Sequence, residues 1–240
     1  MARSCADGTY FQLTDNGELS IIPGSLGLRK VLYYDKPGTY SFTKASYPWL
    51  ARVRVQCQGG GGGSAGAFSD AGELIARPGA PAGAWAQSLI EVSALGTAEA
   101  VVVGKGGIGG QDNNAGGPGG TSSFGGLVSA DGGDGGPANM LSGTALETAR
   151  GPAGSSSGTG DIIIGGGASG ASIRLSAGQC VSGRGGDSVL GRGGEERRTS
   201  GPGQPPTGYG AGAGGAVSIN ASPQTGQPGG SGIVIVELYG

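Results

Sequence analysis

The chain is 240 residues long, with 58 glycines, 13 prolines and a formal net charge of −2. Glycine and proline reach the fraction at which composition alone suggests low complexity. A disordered chain combines low hydrophobicity with high net charge, whereas here 36% of residues are apolar and 13% are charged. That balance favours a folded β scaffold, and the absence of a basic field excludes a nucleic-acid partner.

Residues 1–27 hold short apolar pieces separated by the turn signals Asp15-Asn16-Gly17 and Pro23-Gly24. No apolar core follows the charge in Met1–Cys5, so no signal peptide is expected. No stretch reaches the roughly 18 apolar residues of a membrane helix, so no membrane insertion is expected. Leu28–Tyr34 reads as a strand, Lys36-Pro37-Gly38 as a tight turn, and Thr39–Phe42 as a further strand. Tyr47-Pro48-Trp49 is an extended aromatic corner. In Ala51–Gln58 the alternation places Val53, Val55 and Cys57 on one face and Arg52, Arg54, Gln56 and Gln58 on the other.

Beyond Gly59–Gly63, the runs Ala84–Val92 and Thr97–Val103 read as a hairpin through Ala94-Leu95-Gly96. Thr121–Phe124 and Leu127–Ala130 are short strands, with weaker ones at Ile162–Ile164, Ile173–Leu175 and Ala216–Ile219. Leu141–Ala149 alone carries helix formers. Ile233–Leu238 is apolar on both faces and belongs inside a sheet. Together these elements predict an all-β fold: an antiparallel β-sandwich, jelly-roll-like, with long glycine-rich loops. One domain over residues 31–240 would follow an N-terminal docking segment at 1–30.

The glycine blocks carry a period of three: Gly104, Gly107 and Gly110, then Gly116 and Gly119, with Gly132/Gly135, Gly133/Gly136 and Gly183/Gly186 repeating the spacing. This fits a left-handed extended helix with three residues per turn, whose glycines let neighbouring segments approach and hydrogen-bond. Packed polyglycine II helices and ordinary irregular loops are both compatible with that pattern. The collagen form is excluded because no run sustains the period.

Catalytic motifs fail on chemistry. Gly104-Lys105-Gly106-Gly107-Ile108-Gly109 spells a dinucleotide-binding turn, but the glycine-rich chain after it cannot form the helix that receives a pyrophosphate. Gly62-Gly63-Ser64-Ala65-Gly66 spells a nucleophile elbow, yet the chain has no histidine to act as base. Cys5, Cys57 and Cys180 lack paired spacing, so neither a disulfide framework nor a zinc site is implied. Cys57 is expected to pack as a small apolar residue. Asp131, Asp134 and Asp187 lack a nonapeptide repeat and read as solvated turn residues rather than calcium ligands. No catalytic residue, cofactor or metal is therefore assigned, and the chain is not expected to be an enzyme. Phe124 and Trp85 read as core. The contact candidates are Arg184, Arg192, Glu195, Glu196, Arg197, Arg198 and Tyr209, because arginines and exposed aromatics carry most recognition energy.

Four stretches in order resemble the glycine-rich domain of bacteriophage tail fibre tips and minor tail proteins. Pro37–Phe42 with Ala51–Gly63 resembles its opening strands running into polyglycine, and Ala100–Gly110 its second strand-to-glycine junction. Gly119–Gly125 with Leu127–Gly133 is similar to its middle motif, and Gly229–Tyr239 to its final strand. The resemblance implies a virion tail location after synthesis in the bacterial host cytoplasm. It implies other tail proteins and a glycan or envelope component of the bacterial surface as partners, with a homotrimer as the plausible assembly. The alternative is a structural minor tail or baseplate protein that touches no receptor.

Overall fold

The structure is a computed structural model that describes residues 8, 10–22 and 26–240. The predicted turn at Pro23-Gly24 and the stretch Met1–Cys5 lie outside the described residues. The other N-terminal signal is realised: Phe11–Leu13 and Leu19–Ile21 pair antiparallel around a turn in which Gly17 has φ 81°.

The architecture is all-β and antiparallel. One five-stranded sheet runs in the order Ile162–Ile164, Trp85–Glu91, Arg52–Gln58, Ile233–Tyr239, Leu28–Tyr34. The other runs Gly158–Thr159, Val128–Ala130, Ser122–Phe124, Ala98–Val103, Gly38–Thr43. Their inner faces share one apolar core, in which Val53, Val55, Val101, Val103, Val234 and Val236 are buried as the alternation predicts. Each fully buried aliphatic side chain there contributes about 1.5–3 kcal/mol. Phe124 is fully buried, its ring centroid 5.4 Å from that of Phe42, and Trp85 is buried as well. Ile233–Tyr239 has a partner strand on both sides, as its two apolar faces require. Strand Leu28–Tyr34 spans the position assigned as the boundary between the N-terminal segment and the domain.

One expectation is corrected. Trp85–Glu91 and Ala98–Val103 are strands but not a hairpin, because they lie in different sheets. A 3-10 turn at Val92–Ala94 and the buried Leu95 carry the chain across the core, so Ile90 and Val101 face each other's layer rather than sharing a ladder. Leu141–Ala149 forms no helix. Leu141 and Leu146 stay exposed, and Glu147–Ala149 pairs with Ser172–Ser176. Local propensity loses here to a ladder partner and to burial of Ala149.

Between the two-sheet body and a second, smaller core lies the glycine-rich layer. That smaller core collects Leu74, Ala76, Met140, Ala149, Cys180 and Val217. Both described cysteines are free and buried; burial pushes the Cys57 thiol up to about 12 and the Cys180 thiol up to about 11. Neither thiol should alkylate with iodoacetamide at pH 8 in the native protein, and both should label once denaturant is added. Peptide mass spectrometry reads this directly, and native labelling of Cys57 would contradict the burial.

Candidate functional site

Period three governs the glycine layer. Along residues 59–64 successive N–H groups point to three different neighbours in turn. Gly59 and Gly62 donate to Ala84 and Pro81, Gly60 and Gly63 to Gly120 and Gly117, and Gly61 and Ser64 to Gly230 and Gln227, at 2.8–3.0 Å. The carbonyls follow the same rule. Those of Gly60 and Gly63 accept from Gly133 and Gly136, those of Gly61 and Ser64 from Gly107 and Gly110, and that of Gly62 from Ala213. Segment 59–64 is thus ringed by six others. Partners outside the segment at every third residue are the signature of packed polyglycine II helices, which make no internal hydrogen bonds.

Each such bond is worth about 1 kcal/mol net, the same order as the entropy lost in fixing one residue. Completeness of pairing therefore decides whether the layer orders. Prolines occupy phases without an N–H partner. Pro81 accepts from Gly62 and has no N–H that needs an acceptor, whereas Pro118 and Pro228 stand exposed at the edge. Ser64 of the rejected nucleophile motif is buried, and its hydroxyl accepts from the Gln227 N–H at 2.9 Å. The glycines from 104 to 110 pack against segment 59–64 instead of opening a helix.

Long charged side chains are exposed where segments reach the rim. Arg184 lies on the segment around Gly183 and Gly186, its Nη2 3.6 Å from Asp187 and 3.5 Å from Glu195. Asp187 also accepts from the Gly193 N–H at 2.7 Å. The structure therefore brings Arg184 and Glu195 together. Arg192, Glu196 and Arg198 are exposed. Arg197 is engaged in its own loop: Nε donates to the Pro202 carbonyl at 2.5 Å. Its backbone N–H donates to the Ser182 hydroxyl at 2.7 Å.

Tyr209 follows the strand that pairs with Arg192, on a loop that overhangs the sheet. Gly191–Arg192 pairs with Thr207–Gly208, and Tyr209 N–H donates to the Leu190 carbonyl at 3.1 Å. The flanking Gly208 and Gly210 adopt φ 81° and 73°, a turn that a side chain would strain. Beneath the loop, Tyr33, Asp35, Leu190, Tyr209, Ile233 and Ile235 line a pocket of about 590 Å³. The sequence reading missed Tyr33 and Asp35. The available signal was the Tyr33-Tyr34 pair, since alternation sends one of two successive tyrosines outward. Tyr33 is that one, 66% exposed.

Two buried arginines also escaped the sequence reading. Arg77 donates to the carbonyls of Gly66 and Met140, both at 2.7 Å, and to Asn113 Oδ1 at 2.6 Å. Arg174 donates to the carbonyls of Ala145, Leu74 and Leu141 and pairs with Glu147.

These features define an all-β domain in which a two-sheet body anchors a lattice of polyglycine segments, with small side chains such as Ser64, Ala82 and Ala211 buried inside it and longer ones such as Arg192 and Arg198 exposed at its rim. The sequence matches the glycine-rich domain family over residues 35–239, and the chain belongs to that family. No curated relative matches it.

Proposed function

We propose that the protein is a tail fibre or tail tip component of a bacteriophage, or of a phage-tail-like particle, and acts as an adhesin for the host surface. The observation that supports this reading is rigid display. A lattice built from backbone hydrogen bonds buries only small side chains such as Ser64, Ala82 and Ala211, and at its rim Arg192, Glu196 and Arg198 are exposed on a preordered support. Such contacts lose little entropy on binding, and repetition around a homotrimeric or otherwise symmetric tail supplies avidity.

The alternative, a structural tail component, draws on the other end of the molecule. Phe11 pairs with Ile21 and Leu13 with Leu19, so the N-terminal hairpin gathers four apolar side chains on one face, all exposed. A lone hairpin is marginal in water, which suits docking onto another tail protein. Docking at the hairpin serves either reading, and host contact at the rim is what separates them.

The test is binding of fluorescently labelled protein to a panel of bacterial strains. Saturable binding to a strain is expected, weakened about tenfold or more by Arg192→Ala with Arg198→Ala at an unchanged melting temperature. Binding to no strain, with incorporation into particles intact, would leave only the structural role.

A further inference from the structure

The pocket under the Tyr209 loop has the chemistry of a sugar site. We infer that it binds a neutral saccharide unit of a bacterial surface polysaccharide, a deepening that rests on the adhesin reading above. Its floor is Ile233 and Ile235 of the C-terminal strand, and Tyr33 stands beside Ile235 in register on the neighbouring strand. Leu190 and Tyr209 supply a further wall from the overhanging loop. Two tyrosines on an apolar floor suit a ligand with apolar C–H faces, and their hydroxyls supply polar ends. A pyranose ring has such faces together with a rim of hydroxyls.

Among the described residues, Asp35 is the one charged side chain in the lining. Its carboxylate accepts hydrogen bonds from hydroxyls and repels a phosphate or carboxylate, so the site selects against acidic sugars. Gln56 continues the outer face past Ile235, its direct cross-strand partner; its amide nitrogen donates to Glu237 Oε1 at 3.3 Å. The volume of about 590 Å³ falls in the range of small-ligand sites.

The walls are built before any ligand arrives. The Ser188 hydroxyl donates to the Tyr209 carbonyl at 2.5 Å, and Gly210 N–H donates to Ser231 at 2.8 Å. The floor belongs to a strand paired on both sides. This fixes the loop wall over the floor and lowers the ordering cost of binding.

Saturation-transfer NMR on the full chain, with chitotriose, maltotriose and lactose as probes, tests the inference. Choline serves as a cationic probe and glucose 1-phosphate as an anionic one. At least one neutral saccharide should bind saturably. Tyr33→Ala or Tyr209→Ala should weaken it about tenfold, the equivalent of about 1.4 kcal/mol. Asp35→Asn should weaken it by a smaller factor. Tyr33 and Asp35 are exposed, so circular dichroism of those variants should match the parent protein. Binding of none of the three saccharides, binding undiminished in Tyr33→Ala, or binding of choline or glucose 1-phosphate alone would overturn the assignment. Cell adhesion without saccharide binding would leave the adhesin reading standing and remove the pocket. Saccharide binding through Tyr33 with no adherent strain would do the reverse.

Discussion

Gly61→Ala should abolish the folded protein or cut its stability by about 4 kcal/mol or more, a loss on the scale of the most severe single substitutions. The residue lies in the segment ringed by six others, donating to Gly230 at 2.8 Å and accepting from Gly107 at 2.9 Å. A methyl carbon built there would overlap the carbonyl of Ala211 and crowd that of Gly210, both backbone groups. No side chain can rotate away, so an entire segment must shift. Shifting it lengthens bonds that hold the next segments, and Gly60, Gly62 and Gly63 sit in the same bind against Lys105, Asp134 and Ile108. Gly126→Ala is the matched control, because no atom lies within 4 Å of its added carbon. It should be neutral, or stabilising by about 0.5 kcal/mol through the unfolded chain. Thermal unfolding compares the two. A Gly61→Ala melting point within about 2 °C of the parent would show that the lattice is loose.

The sequence signals that succeeded were periodic ones. Alternation in Arg52–Gln58 placed Val53, Val55 and Cys57 in the core, and the period of three offered, as one of two readings, the segments that bond to neighbours rather than to themselves. Which segments meet was not legible. Glycine has no side chain to mark a partner, so nothing in residues 59–64 names Gly120, Gly133 or Gly230. The hairpin error between Trp85–Glu91 and Ala98–Val103 has a similar origin, since facing layers of a sandwich carry the same alternation as paired strands. The pocket joins Tyr33 to Tyr209 from near opposite ends of the chain, a proximity set by the lattice and by the last strand. The roles of the arginines were not legible for another reason. Charged residues among glycines read as solvated or as contacts, yet Arg197 closes its own loop, and Arg77 and Arg174 are buried in carbonyl cages.

Arg77→Met should cost about 3 kcal/mol of stability, far more than the loss of an arginine on the sheet surface. Arg77 is 1% exposed, and burial lowers its pKa to about 10 against the opposing charge of Glu147, so it remains cationic at neutral pH. Methionine fills similar space and relieves the cost of burying a charge, but it leaves the Gly66 and Met140 carbonyls without the donors they now have. Each buried group left unpaired costs about 1–3 kcal/mol, and breaking one side of a buried charged network is worse than never building it. Arg77→Lys should recover little, because a point ammonium cannot reach three acceptors spread around a planar fork. Arg54→Met is the surface comparison: Arg54 lies 3.6 Å from Glu237 with its side chain 41% exposed, and its pair should contribute at most about 1 kcal/mol. Guanidinium unfolding midpoints rank the three variants, and an Arg77→Met midpoint equal to that of Arg54→Met would show that the cage stabilises nothing. The location of the damage is also fixed. Arg77 ties the end of segment 59–66 to Met140 and to the turn at Asn113, far from the two-sheet core. Amide exchange should therefore rise at Ser64 and Gly66 while Val53 and Val55 stay protected, because the lattice loosens from its far end while the sandwich stays folded.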